Sequence, residues 1–246
     1  MILAIDIGNS RVKAGVQVNG KINHTAVDTD PFADARSYLD KLDIGDKIDA
    51  VIISSVVDEL YDEFQEFSNI LCGSNGIFVD HRLKTGIDLK VDHPEQVGPD
   101  RIANAVGGYQ VAAGPVIVVD MGSATTFTVV GRDREMLGGS IMPGVNMMAT
   151  ALNEKTSKLP LVEIGVPEHV IGKDTVENIN IGLSYGVAGA VERVIAEIKK
   201  EIGYTMKIIL TGGFSNLFKD LISGIDIVDP LLTLKGLFII HEINKG

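Results

Sequence analysis

Two aspartates stand where carboxylates are costly. Asp6 and Asp120 each end an apolar run, Ala4-Ile5 and Val118-Val119, and each is followed two positions later by a glycine, Gly8 and Gly122. A carboxylate at the end of a buried strand is unfavourable unless it is paired, hydrogen-bonded or bound to a metal. The glycine permits a sharp turn and close approach of the backbone to a ligand. Small hydroxyl and amide residues come next: Asn9 and Ser10 in the first copy, Ser123, Thr125 and Thr126 in the second. Their N–H groups and side chains can cradle phosphate oxygens. One Asp-x-Gly alone reads as a plain β-turn. Two in matching strand–turn–strand contexts, half a chain apart, point to hairpins that hold a nucleotide's phosphates and a cation between two domains.

Three further segments carry possible chemistry. Gly98-Pro99-Asp100-Arg101 opens an expected helix, with Pro99 suited to the first turn. It reads either as a charged helix start with Asp100 near the positive dipole end, or as a general base beside a guanidinium that binds carboxylate or phosphate. Gly138-Gly139 with Pro143-Gly144 reads as a flexible loop leading into a helix whose N-terminus can approach an anion. Thr211-Gly212-Gly213 ends an apolar strand and is either a simple turn or a place where backbone passes close to a flat ring.

The elements that position these groups alternate in type. Apolar runs predict strands at Ile2–Ile5, Ala50–Ser55, Gly76–Val79, Pro115–Val119, Thr125–Val130 and Lys207–Leu210. Alternation from Val12 to Val18 predicts a strand that ends in an Asn19-Gly20 turn. Helical spacing predicts helices over Pro31–Leu42, Asp58–Phe67, Pro99–Ala113, Val145–Leu152, Gly182–Ile202 and Leu231–Ile243. Strands interleaved with helices make the class α/β. The echo of Ala4–Gly8 in Val118–Gly122 suggests a tandem duplication, giving domains over 1–113 and 114–246.

Composition removes several alternatives. The 246 residues carry a formal net charge of −11, with charges of both signs scattered. That balance disfavours nucleic acid, whose phosphates need clustered Lys and Arg. The single cysteine, Cys72, allows no internal disulfide, and the five histidines form no HExxH-type pair. No P-loop GxxxxGK[ST] and no GxGxxG after the first strand is present, which argues against P-loop kinases and Rossmann dehydrogenases. No apolar stretch reaches membrane-spanning length and no signal segment is seen, so the expected compartment is the cytoplasm, without membrane association.

In order and spacing, Asp6–Ser10, Gly98–Arg101, Asp120–Thr126, Gly138–Gly144 and Thr211–Gly213 resemble the type III pantothenate kinase family. Ala151-Leu152, Leu159-Pro160 and Gly172-Lys173-Asp174-Thr175 also sit where that family has similar residues, so the resemblance spans nearly the whole chain. It implies two tandem ribonuclease-H-like domains of the actin-like ATPase superfold, with mixed sheets flanked by helices. It implies ATP-dependent phosphorylation of pantothenate to 4'-phosphopantothenate, the first step of coenzyme A biosynthesis. It also implies a homodimer with the pantothenate site at its interface. Carried over residue by residue, Asp100 would be the base that takes the proton from the pantothenate hydroxyl. Gly98, Pro99, Asp100, Arg101 and Thr175 would line the pantothenate site. Asp6, Ile7, Gly8, Asn9, Ser10, Arg11, Val12, Lys13 and Ser123 would hold the ATP phosphates. Asp120 would sit at a monovalent cation site, K⁺ or NH₄⁺, and Asp6 would help position Mg²⁺. Thr211–Gly213 would lie near the nucleotide.

The sequence departs from the family pattern at four points. Ser10 and Ser123 replace a common Thr and keep its hydroxyl. Val91 stands where members often have a Tyr that touches pantothenate, which removes one polar contact. Pro99 is a less usual residue before the aspartate. Another small-molecule kinase of the superfold is the alternative that Val91 keeps open. A non-catalytic regulatory relative would instead be expected to have lost Asp6, Asp100 or Asp120, or to carry a basic patch.

Overall fold

The protein is described by a computed structural model that covers residues 1–29 and 47–245. The helix expected over Pro31–Leu42 lies outside the described residues. The chain divides into two compact units, one formed by Met1–Val111, Arg134–Met136 and Leu232–Gly246, the other by Ala112–Asp133 and Leu137–Leu231.

The first unit is built on strands β1 (Ile2–Ile7), β2 (Arg11–Val18), β3 (Lys21–Asp28), β4 (Ala50–Ser55) and β5 (Ile77–Phe78), in the order β3-β2-β1-β4-β5. β1 pairs with β2 antiparallel and with β4 parallel. The turn between β2 and β3 places Asn19 at φ 51° and Gly20 at φ 78°, the two left-handed residues that a two-residue hairpin loop needs. Alternation sorts the side chains of the sheet. Leu3, Ile5 and Ile7 of β1 share one face with Val51 and Ile53 of β4, and Phe64 and Phe67 of helix α1 (Tyr61–Cys72) pack onto that face. The last helix, Leu232–Ile243, also packs on β1 and β4. Strand β6 (Asp88–Leu89) pairs in parallel with Glu135 and Met136.

Helix α2 (Pro99–Ala112) is held against the last helix at backbone distance. A Cβ on Gly107 would lie 2.6 Å from the Leu232 carbonyl oxygen, and one on Gly236 would lie 2.6 Å from the Ala103 carbonyl carbon. The Thr233 hydroxyl donates to Asn104 Oδ1 across the same contact, at 2.9 Å.

The second unit repeats the plan. Its strands are β7 (Val116–Met121), β8 (Ala124–Val130), β9 (Glu135–Pro143, whose first two residues count with the first unit), β10 (Lys207–Thr211) and β11 (Ile227–Val228), in the order β9-β8-β7-β10-β11. β7 pairs antiparallel with β8 and parallel with β10, as β1 does with β2 and β4. Helices α3 (Val145–Lys155), α4 (Thr175–Ile202) and α5 (Ser215–Phe218) complete it. Ile117, Val119 and Met121 of β7 and Ile208 and Leu210 of β10 form its core with Val187, Val191 and Ile195 of α4.

Three local expectations are corrected. Gly138–Pro143 is part of β9 rather than a flexible loop: the segment pairs beside β8, and Gly138 (φ 118°) and Gly139 (φ 154°) absorb the departure from regular strand geometry. α4 begins at Thr175, seven residues before the expected Gly182, because Asp174 caps it. β3 was not expected, since most of its residues face solvent and its sequence lacks apolar alternation.

Candidate active site

Asp6 occupies the penultimate position of β1, and Asp120 the penultimate position of β7. Both carboxylates are half-buried and close a strand whose earlier residues are buried. The turns that follow are tied by a short hydrogen bond: Gly8 N–H donates to the Arg11 carbonyl at 2.9 Å, and Gly122 N–H to the Ala124 carbonyl at 3.0 Å. Ile7 and Val12 flank the first turn as buried core residues, while Asn9, Ser10 and Arg11 are exposed. Lys13 pairs in register with Asp6 on the neighbouring strand, so the two side chains share a face. Thr29 straps this turn: its hydroxyl donates to the Gly8 carbonyl at 2.7 Å and its N–H to the Ser10 carbonyl at 3.1 Å. Sequence reasoning missed Thr29 because it follows the unexpected strand β3.

Asp100 sits in the first turn of α2, and Pro99 starts the helix as expected. Its carboxylate folds back over Gly98, so a side chain at 98 would collide with Oδ1. The same position would lie 3.9 Å from Val56 Cγ1, and Val56 N–H donates to the Ile7 carbonyl at 3.0 Å. Val56 thereby connects the end of β1 with the Asp100 segment inside the first unit. Burial raises the Asp100 pKa above the ordinary carboxylate value, against the lowering effect of the Arg101 N–H and charge. Burial also lowers the neighbouring Arg101 guanidinium. A carboxylate with a raised pKa at a helix start is suited to accepting a proton.

The second unit gathers its own group. Gly144 caps α3 and donates its N–H to the Ser123 carbonyl at 3.1 Å, which seats that helix N-terminus against the Asp120 turn. Phe214 N–H donates to the Met121 carbonyl at 3.1 Å, drawing the Thr211–Gly213 segment onto the end of β7. Gly212 (φ +90°) lies against Asp120 Oδ1, and a Cβ there would also stand 2.6 Å from the Met121 nitrogen. Asp120, Ser123, Gly144 and Thr211–Gly213 therefore form one cluster.

Thr175 lies apart from that description, as the first residue of α4. It lines a cavity of about 400 Å³ with Leu152, Leu159, Asn178, Ile179, Gly182 and Leu183. The start of α4 is fixed by Asp174 Oδ1, which accepts from Glu177 N–H at 2.9 Å, while Glu177 Oε2 accepts from Lys173 N–H at 2.7 Å. The Asp174-x-x-Glu177 spacing is a helix-start signature that the sequence displays plainly. Among the described residues, no cluster of three or more His, Cys, Asp or Glu could hold a metal ion by itself. No helix among them is long and apolar enough to cross a membrane.

The model of the type III pantothenate kinase family matches residues 2–197. The chain belongs to that family. It is 36% identical to the type III pantothenate kinase of Bacillus cytotoxicus, over 99% of this chain and 97% of the relative. Among solved structures it resembles a conserved Campylobacter jejuni protein assigned to the Baf family of transcriptional activators, at TM-score 0.60 and 18% identity over 98% of both chains. It also resembles the activator of 2-hydroxyisocaproyl-CoA dehydratase from Clostridium difficile with bound ADPNP, at TM-score 0.55 and 13% identity over 98% of this chain and 94% of the other.

As a member of the type III pantothenate kinase family, the chain is a kinase, and the activity of the family is ATP-dependent phosphorylation of pantothenate on the way to coenzyme A. Its fold is that of actin-like ATPases and sugar kinases, α/β with two mixed sheets flanked by helices.

Proposed function

We propose that this chain transfers the terminal phosphoryl group of ATP to the hydroxyl of pantothenate, with Asp100 as the general base. The observation that carries the reading is the Asp100 carboxylate itself, half-buried at a helix start, folded over Gly98 and held above the ordinary carboxylate pKa by burial. Gly98, Pro99, Arg101 and Thr175 bind and orient the acceptor. The Asp6–Lys13 turn, whose tip exposes Asn9, Ser10 and Arg11, and Ser123 receive the ATP phosphates.

The donor set suits a hard cation. Mg²⁺ binds through one or two carboxylates with phosphate oxygens and waters completing its shell, and Asp6 offers one carboxylate beside an amide-rich turn. Asp120 would serve a monovalent cation, K⁺ or NH₄⁺, in the same way. When bound, these cations neutralise charge on the transferring group, the main demand of phosphoryl transfer. The protein's part is to aim the phosphate chain, orient the acceptor hydroxyl and take its proton at Asp100. A homodimer with the acceptor site at its interface and a cytoplasmic location complete the proposal.

A coupled assay tests it, run with and without pantothenate, in potassium and in sodium, beside Asp100→Asn. The expected result is turnover that needs pantothenate, is greater in potassium, and is lost in Asp100→Asn. Turnover indifferent to pantothenate would move the substrate to another alcohol.

A further inference from the structure

The two sheets share a second feature besides their aspartates. In the first unit, the residue in parallel register with Asp6 is Ser54 of β4. In the second, the residue in parallel register with Asp120 is Thr211 of β10. Ser54 is fully buried and Thr211 is 1% exposed, and neither hydroxyl has a hydrogen-bond partner.

A buried polar atom without a partner is rare in a native structure and marks either strain or a group whose partner arrives with a ligand. Here it occurs twice at one topological position. The alternation of the strands places both hydroxyls on the face that carries the carboxylate. Ile5, Ile7 and Ile53 turn to the first unit's core and Val119, Met121 and Leu210 to the second's, while Asp6 with Ser54, and Asp120 with Thr211, take the opposite face. Paired strands stand about 4.8 Å apart, so each hydroxyl is a lateral neighbour of its carboxylate. The only other buried side-chain atom without a partner among the described residues, Nδ1 of His241, is on a helix and has no such counterpart.

We propose that Ser54 and Thr211 are paired positioning residues: each hydroxyl gains its hydrogen bond only when the nucleotide and its cation assemble at the adjacent carboxylate, magnesium at Asp6 and the monovalent cation at Asp120, and so fixes that carboxylate's orientation. This rests on the assignment of Asp6 and Asp120 to the nucleotide and its cations.

The test uses the full-length chain with Ser54→Ala, Thr211→Val and Thr211→Ser. Two quantities are read: the unfolding midpoint without ligand, and the Kd for a non-hydrolysable ATP analogue with magnesium and potassium present, with magnesium removed by chelator, and with potassium exchanged for sodium. The hydroxyl-free variants are expected to melt no lower than the parent, since they remove an unpartnered polar atom. With both cations present they should bind the analogue about tenfold more weakly; the loss in Ser54→Ala should disappear in chelator, and that in Thr211→Val when potassium is exchanged for sodium. Thr211→Ser should restore binding. Hydroxyl-free variants that bind the analogue with both cations as the parent does would overturn the proposal while leaving the kinase reading intact. So would variants that lose stability, and lose affinity equally whether or not the cation of the neighbouring carboxylate is present. A parent that bound no nucleotide would overturn both.

Discussion

The carboxylate of Asp120 occupies the space that a side chain on Gly212 would need. A Cβ at 212 would collide with Oδ1 and stand 2.6 Å from the Met121 nitrogen, and the backbone there has φ +90°. Gly212→Ala is therefore expected to lose about 1–3 kcal/mol of stability through backbone strain and to displace Asp120. Chemical denaturation and ATP turnover should fall together, and unchanged turnover would mean that Asp120 keeps its place.

Gly122→Ala should behave in the opposite way. Gly122 is not in the left-handed region, and the nearest atoms to a Cβ would be 3.6 Å away, an ordinary contact. The chain has room for the methyl, but a phosphate lying on the turn would not. Stability is expected to stay within about 0.5 kcal/mol of the parent, while the KM for ATP rises about tenfold, equivalent to about 1.4 kcal/mol. Steady-state kinetics beside a thermal melt check this, and an unaltered KM would place the phosphates elsewhere.

Asp100→Asn should separate stability from activity. Burial holds the Asp100 pKa above the ordinary carboxylate value, so the folded state favours the protonated form more than the unfolded chain does. The group's favourable contribution is present at low pH and is lost as pH rises through the raised value. At neutral pH the uncharged Asn should make the protein more stable than the parent, and the difference should shrink as pH falls. The kcat of the variant should drop roughly 10²- to 10⁴-fold. In the parent, the acid limb of kcat/KM should titrate above the usual carboxylate value of about 3.9.

Gly236→Ala tests the support of α2, the helix that carries the proposed base. Its Cβ would stand 2.6 Å from the Ala103 carbonyl carbon, on the face where α2 meets the last helix. Overpacking of this kind costs about 1–3 kcal/mol. Because α2 carries Asp100 and Arg101, kcat is expected to decline along with the unfolding midpoint.

Asp174→Ala removes the cap of α4, whose Oδ1 accepts from Glu177 N–H at 2.9 Å. A loss of about 1 kcal/mol is expected. Thr175 follows directly, so the KM for pantothenate should rise more than kcat falls. Equal effects on both would argue that Thr175 does not meet the acceptor in its ground state.

What could be read beforehand follows from where the signal resides. The two Asp-x-Gly hairpins were legible because apolar runs, small residues and turn residues agree at each, and both form antiparallel pairs in the structure, the first with a turn one residue longer than the second. Helix α2 was legible from Pro99 and the spacing of Ile102 and Val106. β3 was hidden because a strand exposed along most of its length needs no apolar alternation; its hairpin turn and pairing with β2 hold it. β9 was hidden by Gly138 and Gly139, which suggest a loop but here sit inside a paired strand. The first two turns of α4 are largely exposed and polar, so periodicity begins late, although the Asp174-x-x-Glu177 cap marks the true start. The orphaned hydroxyls of Ser54 and Thr211 were beyond sequence reasoning, because register across non-adjacent strands appears only in the folded sheet.

The last helix packs with the first unit although its residues are made after the second. During synthesis, a chain that has reached residue 111 still lacks the partner of α2. At about 5–20 residues per second, that partner arrives on the order of ten seconds later. Until then the glycine face of α2 and one side of β1 and β4 stay uncovered, a window in which the nascent first unit offers apolar surface to chaperones. A ribosome that stalls within the second unit would leave Asp100 on an unbraced helix, so such a truncated chain would be without activity even if both aspartate turns had already formed.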